Sequence, residues 1–295
     1  MDTPQVALLG YGEVGHILAA GLAGKVRLRV YDPAYPPGDT VAASNADAAA
    51  SEADAVVVGS EADAVVVGPE ADAVLVASNA EAVRGADVVI AVTTGADSLA
   101  ACAESRPHLG SGVLYADLST GAPGDKRRIA ELLEPSGAAV VDGAIMAPIP
   151  LRGLATPILA SGPSADRFAA FAGGLGMSVT PIGGSPGDAA ARKLLRSVLV
   201  KGLSALAIES QRAAREAGLE GWFWEHLLET VTAADEEFVV RLIKGAGQHG
   251  VRRVHEMEAA TRMLDELGVP STMTRATTAT LDEVTRTGIP PIPGT

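Results

Sequence analysis

Three glycines and an acid carry the clearest chemical signal in this chain. Gly10-Tyr11-Gly12-Glu13-Val14-Gly15 leaves the apolar run Val6-Ala7-Leu8-Leu9 and opens a helical stretch, and Asp32 follows Gly10 by 22 residues at the end of a second apolar run. A strand, a glycine-rich turn, a helix and a second strand closed by an acid is the arrangement that cradles a dinucleotide pyrophosphate. Gly10 permits the tight turn, Gly12 lets a phosphate approach the backbone, and Gly15 lets the helix pack on the strand. The helix start at Glu13 and Val14 presents unpaired N–H groups and the positive end of the helix dipole. Asp32 can accept from ribose hydroxyls and would repel a 2′-phosphate, and residues 33–37 contain no Lys or Arg. The reading is therefore NAD, with NADP left open. The bland alternative is the same βαβ unit without a ligand.

Two further groups could do chemistry. Asp117-Leu118-Ser119-Thr120 comes directly after the apolar run Val113-Leu114-Tyr115-Ala116. That puts Ser119 and Thr120 at the carboxyl edge of a parallel sheet, where ligands bind. Either residue also reads as a cap for a helix opening near Pro123. Lys193, Ser197 and Lys201 recur at intervals of four, which places them on one helix face. Their neighbours Leu194, Leu195, Val198, Leu199 and Val200 predict a largely buried helix. The alternative is a pair of solvated lysines on an exposed face.

The elements that must position these groups alternate in type. Apolar runs at 88–92, 113–116 and 139–141 are separated by helical stretches, and shorter strand candidates follow at 157–160 and 178–182. Continuous apolar strands between helices imply a parallel sheet covered on both faces. From residue 188 the pattern is helical: one helix of about 30 residues to 217, which lacks proline, then helices near 222–231, 235–245, 250–267 and 272–286. The expected architecture is α/β: a Rossmann-type, mostly parallel sheet domain over residues 1–185, then an all-α domain over 186–295, with a long interdomain helix. One segment stands apart. Residues 51–59 and 60–68 both read SEADAVVVG, and 69–77 read PEADAVLVA. Nine residues are too few for most solenoid units. The repeat reads as a lengthened connection after the second strand, with the last copy integrated as a short strand and the others forming an excursion near the adenosine end.

Composition narrows the function classes. Of the 295 residues 47% are apolar, ample for a core, and the net charge is −13 with only 3% aromatics. Those values argue against a nucleic-acid or anionic-membrane partner. The single cysteine, Cys102, excludes an intrachain disulfide and reads as a small core residue. No apolar run approaches 18 residues, and no basic segment precedes the first strand. The expectation is a cytoplasmic protein acting on a small molecule. No metal-ligand spacing is present. Trp222 and Trp224 read as core or interface residues.

Taken together, these pieces resemble the β-hydroxyacid dehydrogenase superfamily, the group containing 6-phosphogluconate and 3-hydroxyisobutyrate dehydrogenases. The resemblance rests on residues 10–15, on the strand ending in Val92-Thr93-Thr94, on the Asp117–Thr120 turn with Pro123, and on Lys193 after Gly184-Ser185-Pro186-Gly187. Arg252-Arg253-Val254-His255-Glu256-Met257-Glu258 resembles a branch whose helical C-terminal domain is unassigned. The resemblance implies an oxidoreductase acting on CH–OH groups. It implies cofactor contacts at Gly10, Tyr11, Gly12, Glu13, Val14, Gly15, Asp32, Val92, Thr93 and Thr94. It makes Lys193 the general acid/base, with Ser119 and Thr120 on the substrate. Ser197 replaces the asparagine usual one turn later, and Lys201 is a second candidate cation. A turn around Gly143 would offer backbone N–H groups to a carboxylate. Arg253 or His255 would anchor an anionic substrate across a homodimer, although both also read as part of a solvated charged face. The chain departs from the pattern at Asp142-Gly143-Ala144-Ile145-Met146-Ala147-Pro148, where a small glycine pair is usual; the bulkier residues point to a less polar substrate. Two alternatives stand beside this reading: an imine or ketone reductase on the same fold, and a dinucleotide-binding protein that does no chemistry. Imine reductases commonly lack the lysine, so Lys193 favours alcohol or carbonyl chemistry.

Overall fold

The computed structural model describes residues 3–35 and 73–294. The chain divides into two compact units, Met1–Leu195 and Arg196–Thr295.

The first unit is built on an eight-stranded sheet of order β3-β2-β1-β4-β5-β6-β7-β8. Its strands are β1 (Gln5–Leu9), β2 (Arg27–Tyr31), β3 (Ala73–Leu75), β4 (Val88–Ala91), β5 (Leu114–Asp117), β6 (Ala139–Ile145), β7 (Ile158–Ser161) and β8 (Val179–Pro181). All neighbours pair in parallel except β6 with β7. Helices α1 (Glu13–Leu22), α2 (Asn79–Val83), α3 (Ser98–Ser105), α4 (Pro123–Leu133) and α5 (Ala165–Gly174) supply the crossovers. Alternate residues feed opposite faces, as the pleat requires. Val6, Leu8, Val88 and Ile90 join one buried cluster, and Ala7, Leu9, Val89 and Ala91 join the other. A sheet buried on both sides explains why these strands read as unbroken apolar runs rather than alternating ones. The expected α/β architecture is the observed one.

Strand β3 belongs to the third copy of the nonapeptide and pairs with β2 through Leu28–Ala73, Arg29–Val74 and Val30–Leu75. The last copy is therefore the integrated one. The first two copies, and the excursion expected of them, lie outside the described residues.

The second unit holds most of the long helix α6 (Asp188–Glu216) with α7 (Glu220–Thr232), α8 (Glu236–Gln248), α9 (Gly250–Glu266) and α10 (Thr272–Thr287). Gly218, at φ +71°, ends α6 in the left-handed conformation that a Cβ would disfavour. Leu219 N then donates to Ala214 O, and Gly218 N to Arg215 O. Glu209 on α6 binds the start of α10, accepting from Met273 N (2.7 Å), Thr274 N (2.8 Å) and Thr274 Oγ1 (2.6 Å). These bonds outweigh the burial that would otherwise raise its pKa, and hold the carboxyl below its ordinary value.

One expectation is corrected here. The apolar flanks of Lys193 predicted a largely buried helix, yet Leu195, Val198 and Leu199 are 71%, 74% and 63% exposed. Apolar residues surround this helix on several faces, and one copy of the chain does not cover them all. Trp222 and Trp224, expected as core or interface residues, are more than half exposed in the single chain, which leaves the interface half of that reading. Among the described residues no helix is long and apolar enough to cross a membrane.

Candidate active site

The glycine-rich turn lies between the carboxyl ends of β1, β2 and β4. Gly10 N donates to Tyr31 O and Val92 N to Leu9 O, which ties the three strand ends together. The three glycines are required for different reasons. A Cβ on Gly10, at φ +101°, would stand 2.8 Å from Val92 O, and one on Gly15 would stand 2.2 Å from Gly10 O. Around Gly12 a Cβ would meet nothing within 4 Å. Protein packing thus demands glycine at positions 10 and 15 and leaves open space at 12. That space is where a pyrophosphate needs close access to the backbone. No side chain caps the start of α1, so its first N–H groups face the same opening. The residues present fit a bound dinucleotide.

Beside this turn is a cleft of about 380 Å³ that includes Gly10, Gly12, Asp32, Val92, Thr93 and Thr94 among its lining residues. Asn79, Asp97 and Glu104, which sequence reasoning missed, also line it. Asn79 is buried and binds α3, donating to Ala101 O and accepting from Ser105 Oγ. Asp32 is held by backbone N–H groups of Tyr11 (2.8 Å) and Ala34 (2.9 Å). The carboxylates converge: burial first, then the charges of Glu104 and Asp32, push the Tyr31 phenol above its ordinary pKa. Tyr11 does not line the cleft. Its ring is buried, stacks on His16 at 3.7 Å and meets Tyr35 edge-on at 5.0 Å.

The second polar group stands at the carboxyl end of β5. Ser119 is buried, Thr120 is exposed, and Ser119 Oγ lies 3.1 Å from Thr93 Oγ1. The two strand-end turns therefore touch. Gly95 allows this contact, because a Cβ there would lie 2.0 Å from Thr120 O. Lys193, on the second turn of α6, donates to Thr120 Oγ1 at 2.8 Å. Residues 73 positions apart thus meet at the sheet edge, and Lys193 is half-buried there.

Three other expected site residues are placed differently. Gly143 is not in a turn: β6 continues to Ile145, and Gly143 is buried in the ladder opposite Ala160. A Cβ there would lie 2.0 Å from Leu118 Cδ2, so packing explains the glycine. Arg253 of α9 donates to Leu242 O and lies against Gly245, where an added Cβ would be 2.5 Å from its guanidinium. It ties α8 to α9. His255 is exposed, and Arg252 pairs with Glu256 on the same helix. Ser197 and Lys201 belong to the second unit. Cys102 is buried, and burial, with the Asp117 charge, pushes its thiol up to about 12. It is no nucleophile. Among the described residues no group of three or more His, Cys, Asp or Glu could hold a metal ion.

The family model for the NAD binding domain of 6-phosphogluconate dehydrogenase matches residues 5–147. A second model, a domain of unknown function (DUF1932), matches residues 214–284. The amino-terminal part of the chain is thus similar to the NAD binding domain of 6-phosphogluconate dehydrogenase, and the carboxyl-terminal part to a domain of unknown function. No curated protein matches the sequence. Among solved structures, a conserved hypothetical protein from Sinorhizobium meliloti 1021 is 28% identical, with a TM-score of 0.57 over 95% of this chain and 88% of that one. A conserved protein of unknown function, described as structurally similar to 3-hydroxyacid dehydrogenases, is 26% identical, with a TM-score of 0.55 over 97% of this chain and 99% of that one. An imine reductase from a Pseudomonas species is 20% identical, with a TM-score of 0.68 over 98% of this chain and 96% of that one; at that identity the likeness concerns the fold. Residues 5–147 therefore form a Rossmann-type NAD-binding domain.

Proposed function

We propose that the chain is an NAD-dependent oxidoreductase that interconverts an alcohol, such as a hydroxy acid, and the corresponding carbonyl compound, with Lys193 as general acid/base. The observation that carries the reading is the 2.8 Å contact between Lys193 Nζ and Thr120 Oγ1, beside a glycine turn with space for a pyrophosphate. When bound, the dinucleotide supplies or accepts the hydride. Gly10, Gly12 and the start of α1 would hold its phosphates, Asp32 its adenosine ribose, and Val92, Thr93 and Thr94 would border the rest. In reduction the substrate oxygen gains negative charge, and the Lys193 ammonium delivers the proton that converts it to a hydroxyl. In oxidation Lys193 takes that proton back. Because Thr120 Oγ1 accepts from Lys193, its own O–H is free to point at the substrate oxygen. Ser119, packed against Thr93, holds that turn in place.

The preference for NAD over NADP rests on charge. Asp32, Asp97 and Glu104 line one cleft. No Lys or Arg occurs anywhere between Arg29 and Arg84. No basic residue following β2 is therefore present to meet a 2′-phosphate, which those carboxylates would repel. Arg253 and His255 remain candidates for an anionic substrate group only in an assembled protein. The chain acts as a homodimer in this reading, because Leu195, Val198, Leu199, Trp222 and Val231 are each more than half exposed in a single copy.

Ala147-Pro148 in place of a glycine pair favours a substrate without a short carboxylate, which keeps imines and simple ketones as a second substrate class. The deciding experiment is a panel of hydroxy acids, alcohols, ketones and ketone–amine mixtures with NAD(H) and NADP(H), on wild type and Lys193→Ala. Turnover of an alcohol–carbonyl pair with NAD(H), lost in the variant, is the expected result. Turnover that needs an amine moves the chain to the imine class. NADH binding without turnover of any pair leaves a dinucleotide-binding protein.

A further inference from the structure

Beneath the Thr120–Lys193 pair lies a buried charge that the proposed reaction does not use. Lys126, on the second turn of α4, is 2% exposed. Its ammonium donates to Asp117 O (2.9 Å), Asp117 Oδ2 (2.8 Å) and Ser119 O (2.7 Å). All three of its N–H donors are thus engaged by the turn that carries Thr120. Asp117 Oδ1 completes the turn by accepting from Ser119 N at 3.0 Å. Lys126 Nζ also lies 3.7 Å from Asp142 Oδ1, an oxygen with no hydrogen-bond partner of its own. The other Asp142 oxygen is occupied by the start of α6. It accepts from Gly187 N (2.9 Å), Ala190 N (3.1 Å) and Ser161 Oγ (2.9 Å), and Ser161 Oγ in turn accepts from Ala189 N (3.0 Å).

One buried ammonium therefore connects the turn that carries Thr120 to a carboxylate that holds the helix end carrying Lys193. The backbone contacts agree. A Cβ on Gly187, at φ +108°, would stand 2.8 Å from Pro123 O, so α6 and α4 begin in close contact. A buried charge is costly unless paired and fully hydrogen-bonded, and one loosened partner propagates to the next.

We propose that Lys126 is the positioning residue of the reaction site: its ammonium fixes the turn holding Thr120 against the helix end holding Lys193. It is not a proton donor, because its N–H groups are all engaged and it lies under the turn, out of solvent. The substrate role of the positioned pair rests on the function proposed above. The positioning itself does not, and the test separates the two.

Lys126→Met keeps an unbranched side chain as far as Cε and removes the ammonium. Lys126→Met/Asp142→Asn also removes one of the two carboxylates left without their cation, so it guards against misfolding of the single variant. Hydrogen exchange is followed by mass spectrometry on the protein without ligand. In both variants the expected result is exchange at least tenfold faster in residues 117–121 and 187–191 together, with β1 and β4 unchanged. NADH affinity, read by fluorescence, stays within threefold, because the Asp32 end of the cleft is held by other bonds. With any substrate that wild type turns over, kcat falls at least tenfold in both variants while KM changes less. If the double variant regains wild-type protection in both segments, Lys126 merely balances Asp142 and the proposal falls. It also falls if exchange rises uniformly through the sheet, which would mark a general stabiliser, or if neither segment changes. Localised exchange in a protein that turns over no substrate would uphold the positioning and sink the function.

Discussion

In the first unit Leu8, Leu9, Val30, Ile90 and Leu114 are at most 1% exposed, on the two faces of one sheet; in the second Trp222, Trp224 and Val231 stand at 62%, 52% and 59%. The first unit closes its core within a single chain. Its cleft and the Thr120–Lys193 contact therefore have a geometry set by that chain alone. The buried cluster of the second unit is small, Ala213, Leu264 and Val269 with Leu267 against it. Its helices are joined by point ties such as Glu209 to α10 and Arg253 to Leu242 O. Such a unit leaves apolar surface for a partner. Changes in the first unit should therefore remove chemistry or cofactor choice while the protein stays assembled. Changes in the second should alter assembly and acid stability first.

The largest effect expected is on chemistry. Lys193→Ala lowers kcat by about 10²–10⁴-fold, the span of general acid–base catalysis, while NADH affinity and oligomeric state hold. A variant that loses its oligomeric state as well would break the separation of the two regions. Next comes assembly. Trp222→Glu with Trp224→Glu should convert a dimer to a monomer in light scattering coupled to size exclusion, since buried aromatic anchors each contribute about 2 kcal/mol or more to an interface. A wild-type chain that elutes as a monomer at micromolar concentration would end the dimer reading outright.

Glu209→Gln probes the ties of the second unit and should cost about 1–3 kcal/mol, as one charged acceptor of several bonds is weakened. The pH dependence has a definite sign. The carboxyl is held below its ordinary value of 4.5. Its contribution is therefore complete above the unfolded pKa and is lost as pH falls through the lower folded value. Melting curves of wild type and variant should converge on acidification below about pH 4.5 and run parallel above it; a constant gap down to pH 2 would contradict this. Asp32→Ala should narrow the preference for NADH over NADPH by about tenfold, equivalent to ~1.4 kcal/mol, without creating an NADPH site, since Asp97 and Glu104 remain. The smallest effect is expected from deleting residues 51–68. The copy that forms β3 survives the deletion, so stability should change by less than about 0.5 kcal/mol and activity should not change.

Much of the fold was legible because its signals are local. Glycine spacing, unbroken apolar runs and proline-free stretches report backbone conformation directly, and α6 to α10 fall within a few residues of the ranges read from sequence. What was missed depends on partners distant in the chain. Lys126 lies beside Arg127 and Arg128 and resembles a solvated face, yet it shares the buried side of α4 with Ile129 and Leu133. Its spacing from those two was the available signal. Gly143 was assigned to a turn because the continuation of β6 depends on its pairing with β7.

By itself the sequence determined the nucleotide-binding turn, the acid that follows it, the absence of any basic residue from 30 to 83, and that any copy of the repeat could serve as a strand. These are properties of residue order and charge that no packing can alter. Only the tertiary structure decided that Thr120 and Lys193 meet, that Lys126 is buried beneath them, and that the apolar faces of α6 and α7 stay uncovered in one chain. Burial and contact are set by what else folds against a residue, and a residue's own chemistry does not contain that information.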